Sequence, residues 1–157
     1  MKIKIISGGQ TGVDRAALDA AMKLKLPCGG YAPKGRIAED GAIPEKYPLK
    51  ECDSADYSVR TGLNVVFSDA TLIINAGELD GGTLYTYEIA EKKRKPVKIV
   101  DIDVLGAKKA CAEILKFIKE TNPLILNVAG PRESKRPGIY GKAFKILCDV
   151  FRDPAKR

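Results

Sequence analysis

Four short apolar runs rich in β-branched residues, 3–6, 71–75, 97–101 and 124–128, are spaced along the 157-residue chain with helical patterns between them. Runs of that length read as buried strands, and strand, helix, strand repeated in series implies a mostly parallel sheet covered on both faces. With right-handed crossovers the pattern predicts an α/β fold of the doubly wound, Rossmann-like kind, a three-layer sandwich. A fifth short strand is placed around Cys28 to Tyr31, where glycines weaken the pattern.

Helices are predicted over 14–26, 84–93, 107–119 and 139–151. In the first, Ala17, Leu18, Ala21 and Leu24 share one stripe, with Thr11 as N-cap and Asp14 closing a capping box. In the last, Ile139, Ala143, Ile146, Leu147 and Val150 fall at helical spacing. Residues 32–57 break the rhythm with Pro33, Gly35, Gly41, Pro44 and Pro48, and a long irregular connection of this sort is often a binding loop or lid. No repeat or linker divides the chain, so residues 1–157 read as a single ligand-binding domain whose charged tail after Phe151 frays.

Composition narrows the chemistry. No apolar run approaches the roughly 20 residues of a membrane span, and the first residues read as a strand rather than a signal peptide, so a cytoplasmic, non-membrane protein is expected. There is no histidine, which removes imidazole-based triads and leaves carboxylates, Lys, Tyr or Thr for any catalysis. Four scattered cysteines without a Cys-x-x-Cys pair argue against a zinc site built by the protein. Cys111 and Cys148 read as core packing, while Cys28 and Cys52 lie in irregular regions. A net charge of +7 favours anionic partners. Phosphorylated metabolites suit it better than nucleic acid, since the six tyrosines and four phenylalanines are not interleaved with basic residues.

Ligands of an open parallel sheet bind beyond the carboxyl ends of its strands, where helix N-termini present unpaired N–H groups. Three segments fall there. The first is the turn Ser7-Gly8-Gly9-Gln10-Thr11-Gly12, where residues without Cβ atoms let backbone donors approach an anion. It is neither a dinucleotide Gly-x-Gly-x-x-Gly motif nor a Walker loop, and a plain tight turn competes with the cradle reading. The second is the stretch 75–88, in which Gly81, Gly82, Thr83 and Thr86 surround a helix start and Glu88 lies further on. A carboxylate beside a phosphate cradle suits a ribose, a ring nitrogen or water, or else simple solvation. The third is 127–138, with Gly130 and the cationic cluster Arg132, Lys135 and Arg136, where a solvated loop is the competing reading. The long loop adds Lys34, Arg36, Glu39 and Asp40, followed by Arg60, Thr61 and Asn64, each weak alone.

Four separated segments, 7–19, 33–41 (Pro33-Lys34-Gly35-Arg36 with Glu39-Asp40-Gly41), 80–83 and 127–132, resemble in the same order those of the molybdenum cofactor carrier family. More distantly the chain resembles the lysine decarboxylase-like phosphoribohydrolases, whose Pro-Gly-Gly-x-Gly-Thr-x-x-Glu motif is matched here at Gly81, Gly82 and Glu88. It is unmatched at Asp80, Leu84 and Tyr85. The first resemblance implies a carrier, a homo-oligomer (dimer or tetramer), that shields the molybdenum cofactor, a phosphate-bearing pterin whose own dithiolene holds the metal. Gly8, Gly9, Gln10, Thr11, Gly12, Lys34, Arg36, Gly81, Gly82, Thr83, Thr86, Gly130 and Arg132 are then the expected ligand contacts. The second implies an enzyme cleaving the N-glycosidic bond of a nucleotide, with Glu88 as its carboxylate.

Overall fold

The computed structural model describes residues 2–152. Strand β1 (Lys4–Ile6) leads into helix α1 (Val13–Lys23) and edge strand β2 (Cys28–Gly29). Four short pieces follow, β3 (Tyr31–Ala32), β4 (Ile37–Ala38), β5 (Gly41–Ala42) and β6 (Lys50–Glu51). Helix α2 (Tyr57–Val66) precedes β7 (Ala70–Asn75), α3 (Gly81–Lys92), β8 (Val97–Asp101) and α4 (Ile102–Thr121). Strand β9 (Ile125–Ala129) and α5 (Ile139–Arg152) complete the series. The fraying expected after Phe151 concerns residues 153–157, which lie outside the described residues.

The central sheet is parallel throughout, in the order β2-β1-β9-β7-β8. Counted from β9, the strands β9, β1, β2, β7 and β8 fall in the spatial order 3-2-1-4-5, that of the doubly wound dinucleotide-binding fold. The chain is therefore that fold with its first strand moved to follow all the others. The strand order reverses at β9, between β1 and β7, which is where a ligand crevice belongs.

Strand alternation explains the layers. Ile5, Leu72, Ile74, Leu126 and Val128 form one buried cluster with the apolar stripes of α1, α4 and α5. The opposite face carries Thr71, Ile73, Asn75 and Asn127, all buried, with α2 and α3 packed together over it. Every residue of β7 is buried, which is why Leu72, Ile73 and Ile74 follow one another without apolar–polar alternation. Gly130, just past β9, has no room for a side chain: a Cβ there would lie 2.2 Å from the Ile74 carbonyl and 2.6 Å from Val13.

The structure corrects several local expectations. Thr11 is not the cap of α1. Gly12 (φ 79) holds that position, and the Thr11 hydroxyl instead bonds Glu39 and accepts from the Glu133 N–H (3.2 Å). Asp14 does reach back, but to the Gln10 N–H (3.2 Å). Helix α3 begins at Gly81, before its apolar period, so the two glycines form its first turn. Helix α4 starts at Ile102 and bends at Gly106 (φ 74). The greatest departure is α2, in a stretch where the sequence pattern predicts no helix. Its N-cap, Asp56, accepts from the Ser58 N–H (2.9 Å).

Residues 33–56 form a strap along one end of the sheet, organised by a side chain at its centre. Arg36 is buried, and its guanidinium donates to the carbonyls of Ile43 (3.1 Å), Pro44 (2.8 Å), Tyr47 (3.0 Å) and Leu49 (3.1 Å). Those oxygens belong to irregular backbone and have no sheet partner, so the forked cation replaces a ladder. Beneath it Ala32, Ala38, Ile43 and Tyr47 pack on Leu18 of α1.

Candidate functional site

At the reversal of strand order lies a cleft of about 300 Å³. Four regions line it. The turn after β1 and the start of α1 supply Gln10 and Asp14, and α2 supplies Tyr57, Ser58, Arg60 and Thr61. The start of α3 supplies residues 80–83, 85 and 86. The loop after β9 supplies residues 129–132 and Lys135. Every contributor follows a sheet strand or belongs to the helix over that face, so the site is composite.

The α3 entrance is the clearest anion locus. Asp80 is the N-cap residue, but its side chain makes no capping hydrogen bond, and the helix opens on Gly81, Gly82 and Thr83. The first N–H groups of a helix have no intrahelical acceptor and carry about half a positive charge between them. At Gly82 a Cβ would meet nothing within 4 Å, so the approach is open. Lys135 stands beside it, its Nζ 3.1 Å from the Asp80 carboxylate, and Arg136 lies 3.8 Å from the same group. The Thr86 hydroxyl is spent on the Gly82 carbonyl (2.8 Å), one turn back in its own helix.

The other cations are paired just as loosely. Arg132 faces Glu39 at 3.3 Å. Arg60 faces Asp14 at 3.7 Å, beyond a good hydrogen bond. The Nε atoms of Arg60 and Arg132 are buried and have no hydrogen-bond acceptor among the described residues. Asp14 is buried, and burial raises its pKa above the ordinary value although Arg60, the Gln10 N–H, Ser7 and Arg15 pull the other way. The cleft thus holds three cations, Lys135, Arg132 and Arg60, each beside a carboxylate.

The glycines of the first turn are used for packing rather than for lining the cleft. A Cβ on Gly8 would sit 2.2 Å from the Arg60 guanidinium, and one on Gly9 would strike Leu49 of the strap. Gly12 meets the Pro131 carbonyl and the Glu133 N–H. Donors here are engaged internally, Gln10 N–H with Asp14 (3.2 Å), Thr11 N–H with the Gln10 side chain (3.0 Å) and Val13 N–H with Pro131 (3.3 Å). Of the expected contacts, the structure brings Gln10, Gly81, Gly82, Thr83, Thr86, Gly130 and Arg132 to the cleft. It does not bring Gly8, Gly9, Thr11, Gly12, Lys34 or Arg36, although Gly8 lines a small adjoining pocket with Asp14 and Arg60. Lys34 is exposed on the strap and Arg36 is sunk in it. Glu88 is exposed too. It is not among the residues that line the cleft.

Arg60, which the sequence offers only as a weak candidate, and Asp14, Tyr57 and Tyr85, which it does not single out as site residues, all line the cleft. A usable signal existed for the first and third: Asp56 before a helical Val59, Leu63 and Val66 stripe marks a capped helix that would carry Tyr57 and Arg60 together.

The strap is tied to the segments beside the cleft. Glu39 accepts from Thr11 Oγ1, Ser134 N–H (3.2 Å) and Ser134 Oγ (2.5 Å), while Asp40 takes a bidentate pair from Arg15 (2.5 and 2.8 Å). At Glu39, partial burial opposes ionisation, but the Ser134 and Thr11 bonds and Arg132 outweigh it and lower the pKa. At Asp40 the Arg15 hydrogen bond lowers it. Depressed folded values stabilise above the ordinary 4.5 and 3.8, and that stabilisation is lost as pH falls through the lowered values. Amide exchange of residues 37–49 should therefore accelerate in acid below those ordinary values, and E39Q/D40N should show the faster exchange already at neutral pH. Equal protection of wild type and double variant at neutral pH would refute this role.

Residues 5–151 match the circularly permutated YpsA SLOG family. The chain is a member of that family. The permutation in the family's description is the displacement of β9 seen in the sheet order. A crystal structure from Syntrophus aciditrophicus SB, described as a "putative molybdenum carrier protein", is 47% identical over 97% of this chain and 96% of that one, with a TM-score of 0.93. No curated protein matches. The resemblance carried by the four motifs is borne out by this structure, and the fold is the α/β sandwich expected. No described helix of this family member is long and apolar enough to cross a membrane.

Proposed function

We propose that this SLOG protein is a carrier that binds the molybdenum cofactor, or a closely similar phosphorylated pterin or nucleotide, in the cleft at the β9/β7 reversal. The observation that carries the reading is the uncapped start of α3. Gly81, Gly82 and Thr83 present backbone donors there beside Lys135, in a cleft that also holds Arg60 and Arg132. A terminal phosphate seats at the helix entrance, and the cations exchange Asp80 and Glu39 for ligand oxygens. The description of the 47%-identical relative supports the molybdenum part of the reading. The pterin dithiolene holds the metal, so the protein has only to bind and shield. A cytoplasmic homo-oligomer of a single ligand-binding domain belongs to the same proposal.

The competing hydrolase reading needs a carboxylate from α3 at the sugar, and Glu88 is not among the residues that line the cleft. Equilibrium titration with the molybdenum cofactor, a pterin monophosphate and nucleotides tests the carrier reading. Micromolar binding of the cofactor without turnover is the expected result, and no binding by any of them at that level would overturn it.

A further inference from the structure

Arg60 is in an unusual position for a buried arginine. Its side chain is only 14% exposed, it makes no hydrogen bond among the described residues, and its nearest charge is Asp14 at 3.7 Å. The guanidinium lies 5.6 Å from the centre of the Tyr57 ring, and a buried Nε–H with no acceptor is costly and in a native site calls for a missing partner. Gly8 has no side chain where this guanidinium lies across it, so the backbone is shaped to hold Arg60 there. Asp14, beside it, accepts one backbone N–H and keeps further lone pairs for other donors.

A second phosphate does not suit the pair. It would satisfy Arg60 but bring its own charge against the buried Asp14 carboxylate, within a few ångströms and away from water. What suits a donor fork beside a carboxylate is a neutral ring edge with a carbonyl oxygen next to two N–H groups. The oxygen takes Arg60, and the carboxylate takes both N–H groups side by side. That edge is the 2-amino-4-oxopyrimidine edge common to pterins and guanine. Tyr57 and Tyr85, on the same cleft, supply aromatic surface for the ring.

We propose that Asp14 and Arg60 are the ring-reading pair of the cleft, selecting a 2-amino-4-oxopyrimidine-fused ring whose phosphate lies at the start of α3. The inference rests on the phosphate-binding reading of that helix and adds a choice among phosphorylated ligands. Adenine offers Asp14 one N–H in place of two and Arg60 a ring nitrogen in place of an oxygen. Xanthine replaces the 2-amino donor with an oxygen that the carboxylate repels. Hydrogen bonds to charged groups are each worth about 1.5–3 kcal/mol, so loss of one predicts roughly 10- to 100-fold weaker binding.

The test is a calorimetric titration of the full-length protein with a pterin monophosphate, GMP, AMP, XMP, ribose 5-phosphate and inorganic phosphate. The pterin monophosphate and GMP are expected to bind at least about 10-fold tighter than AMP and XMP, and their own ratio separates the two sources of the edge. Asp14→Asn, which exchanges one acceptor for a donor, should shift preference from GMP toward XMP. Arg60→Gln should weaken all ring-bearing ligands and leave inorganic phosphate within a few-fold. Equal wild-type affinities for GMP, AMP and XMP overturn the inference and leave the phosphate site standing. Selectivity unchanged in Asp14→Asn overturns the assignment of Asp14. Failure of every compound, inorganic phosphate included, overturns both the inference and the reading on which it rests. The wild-type panel decides the matter even if a variant fails to fold.

Discussion

Gly82→Asp is expected to weaken binding of phosphate-bearing ligands by about 30-fold or more while leaving the melting temperature unchanged or slightly raised. The two effects have opposite signs because one carboxylate acts on two equilibria. In the protein alone, an acidic side chain in the first turn of α3 complements the helix dipole by about 0.3–1 kcal/mol. Replacing glycine inside a helix adds roughly as much. Position 82 accepts a Cβ without contact and without strained φ, so no steric cost offsets those gains. In the complex, the carboxylate stands where the ligand phosphate must come. Like charges about 4 Å apart at the effective dielectric of a protein surface repel by roughly 4 kcal/mol, and half of that suffices for tens-fold weakening. Gly82→Asn, nearly the same shape without charge, separates bulk from repulsion and should retain most of the affinity. Calorimetric titration paired with a thermal melt reads both quantities. An aspartate variant that binds as wild type would place the phosphate elsewhere.

Arg36→Ala is expected to be the most destabilising change on the strap, at roughly 3–5 kcal/mol in urea unfolding. The loss arises from the carbonyls of Ile43, Pro44, Tyr47 and Leu49, which share one guanidinium. The sum is smaller than four independent bonds because the strap relaxes once released. Arg36 also sits at φ 53, a region non-glycine residues seldom occupy, so the hydrogen bonds hold the backbone in a conformation it would otherwise leave. Arg36→Lys keeps the charge but not the fork and should fall between alanine and wild type. A destabilisation below about 1 kcal/mol would show that the strap is held by Ile43 and Tyr47 packing instead.

The sequence shows strands and outer helices well where burial imposes a pattern. The run at 71–75 is continuous because both its faces are covered, and the stripe at 139–151 is periodic because one face is. It hides what depends on distant partners. Both a phosphate cradle and a close crossing of two backbones require glycine, so the turn at 8–12 reads the same either way. Only its meeting with Leu49, Arg60 and Pro131 tells them apart. Arg36 looks like a surface cation because nothing nearby in sequence announces four carbonyls converging on it. Helix α2 is obscured by Gly62 and four β-branched residues, which lower intrinsic helix propensity, and tertiary packing on α3 overrides that. Asp14 and Arg60 lie on different helices, so their pairing becomes visible only when α2 is placed.

The position of β9 also bears on how the molecule is made. It joins β1 to β7, yet every other strand of the sheet precedes it in the chain. As the polypeptide leaves the ribosome, the β2-β1 and β7-β8 pairs wait as two separate ribbons, each with a raw inner edge of unpaired N–H and C=O groups. Neither ribbon can close over the core, and the cleft does not exist, until residues 125–129 arrive between them. Maturation of the sheet is therefore a late, all-at-once event with high contact order. Stalled chains that lack this strand should be the species that stick to one another and to chaperones.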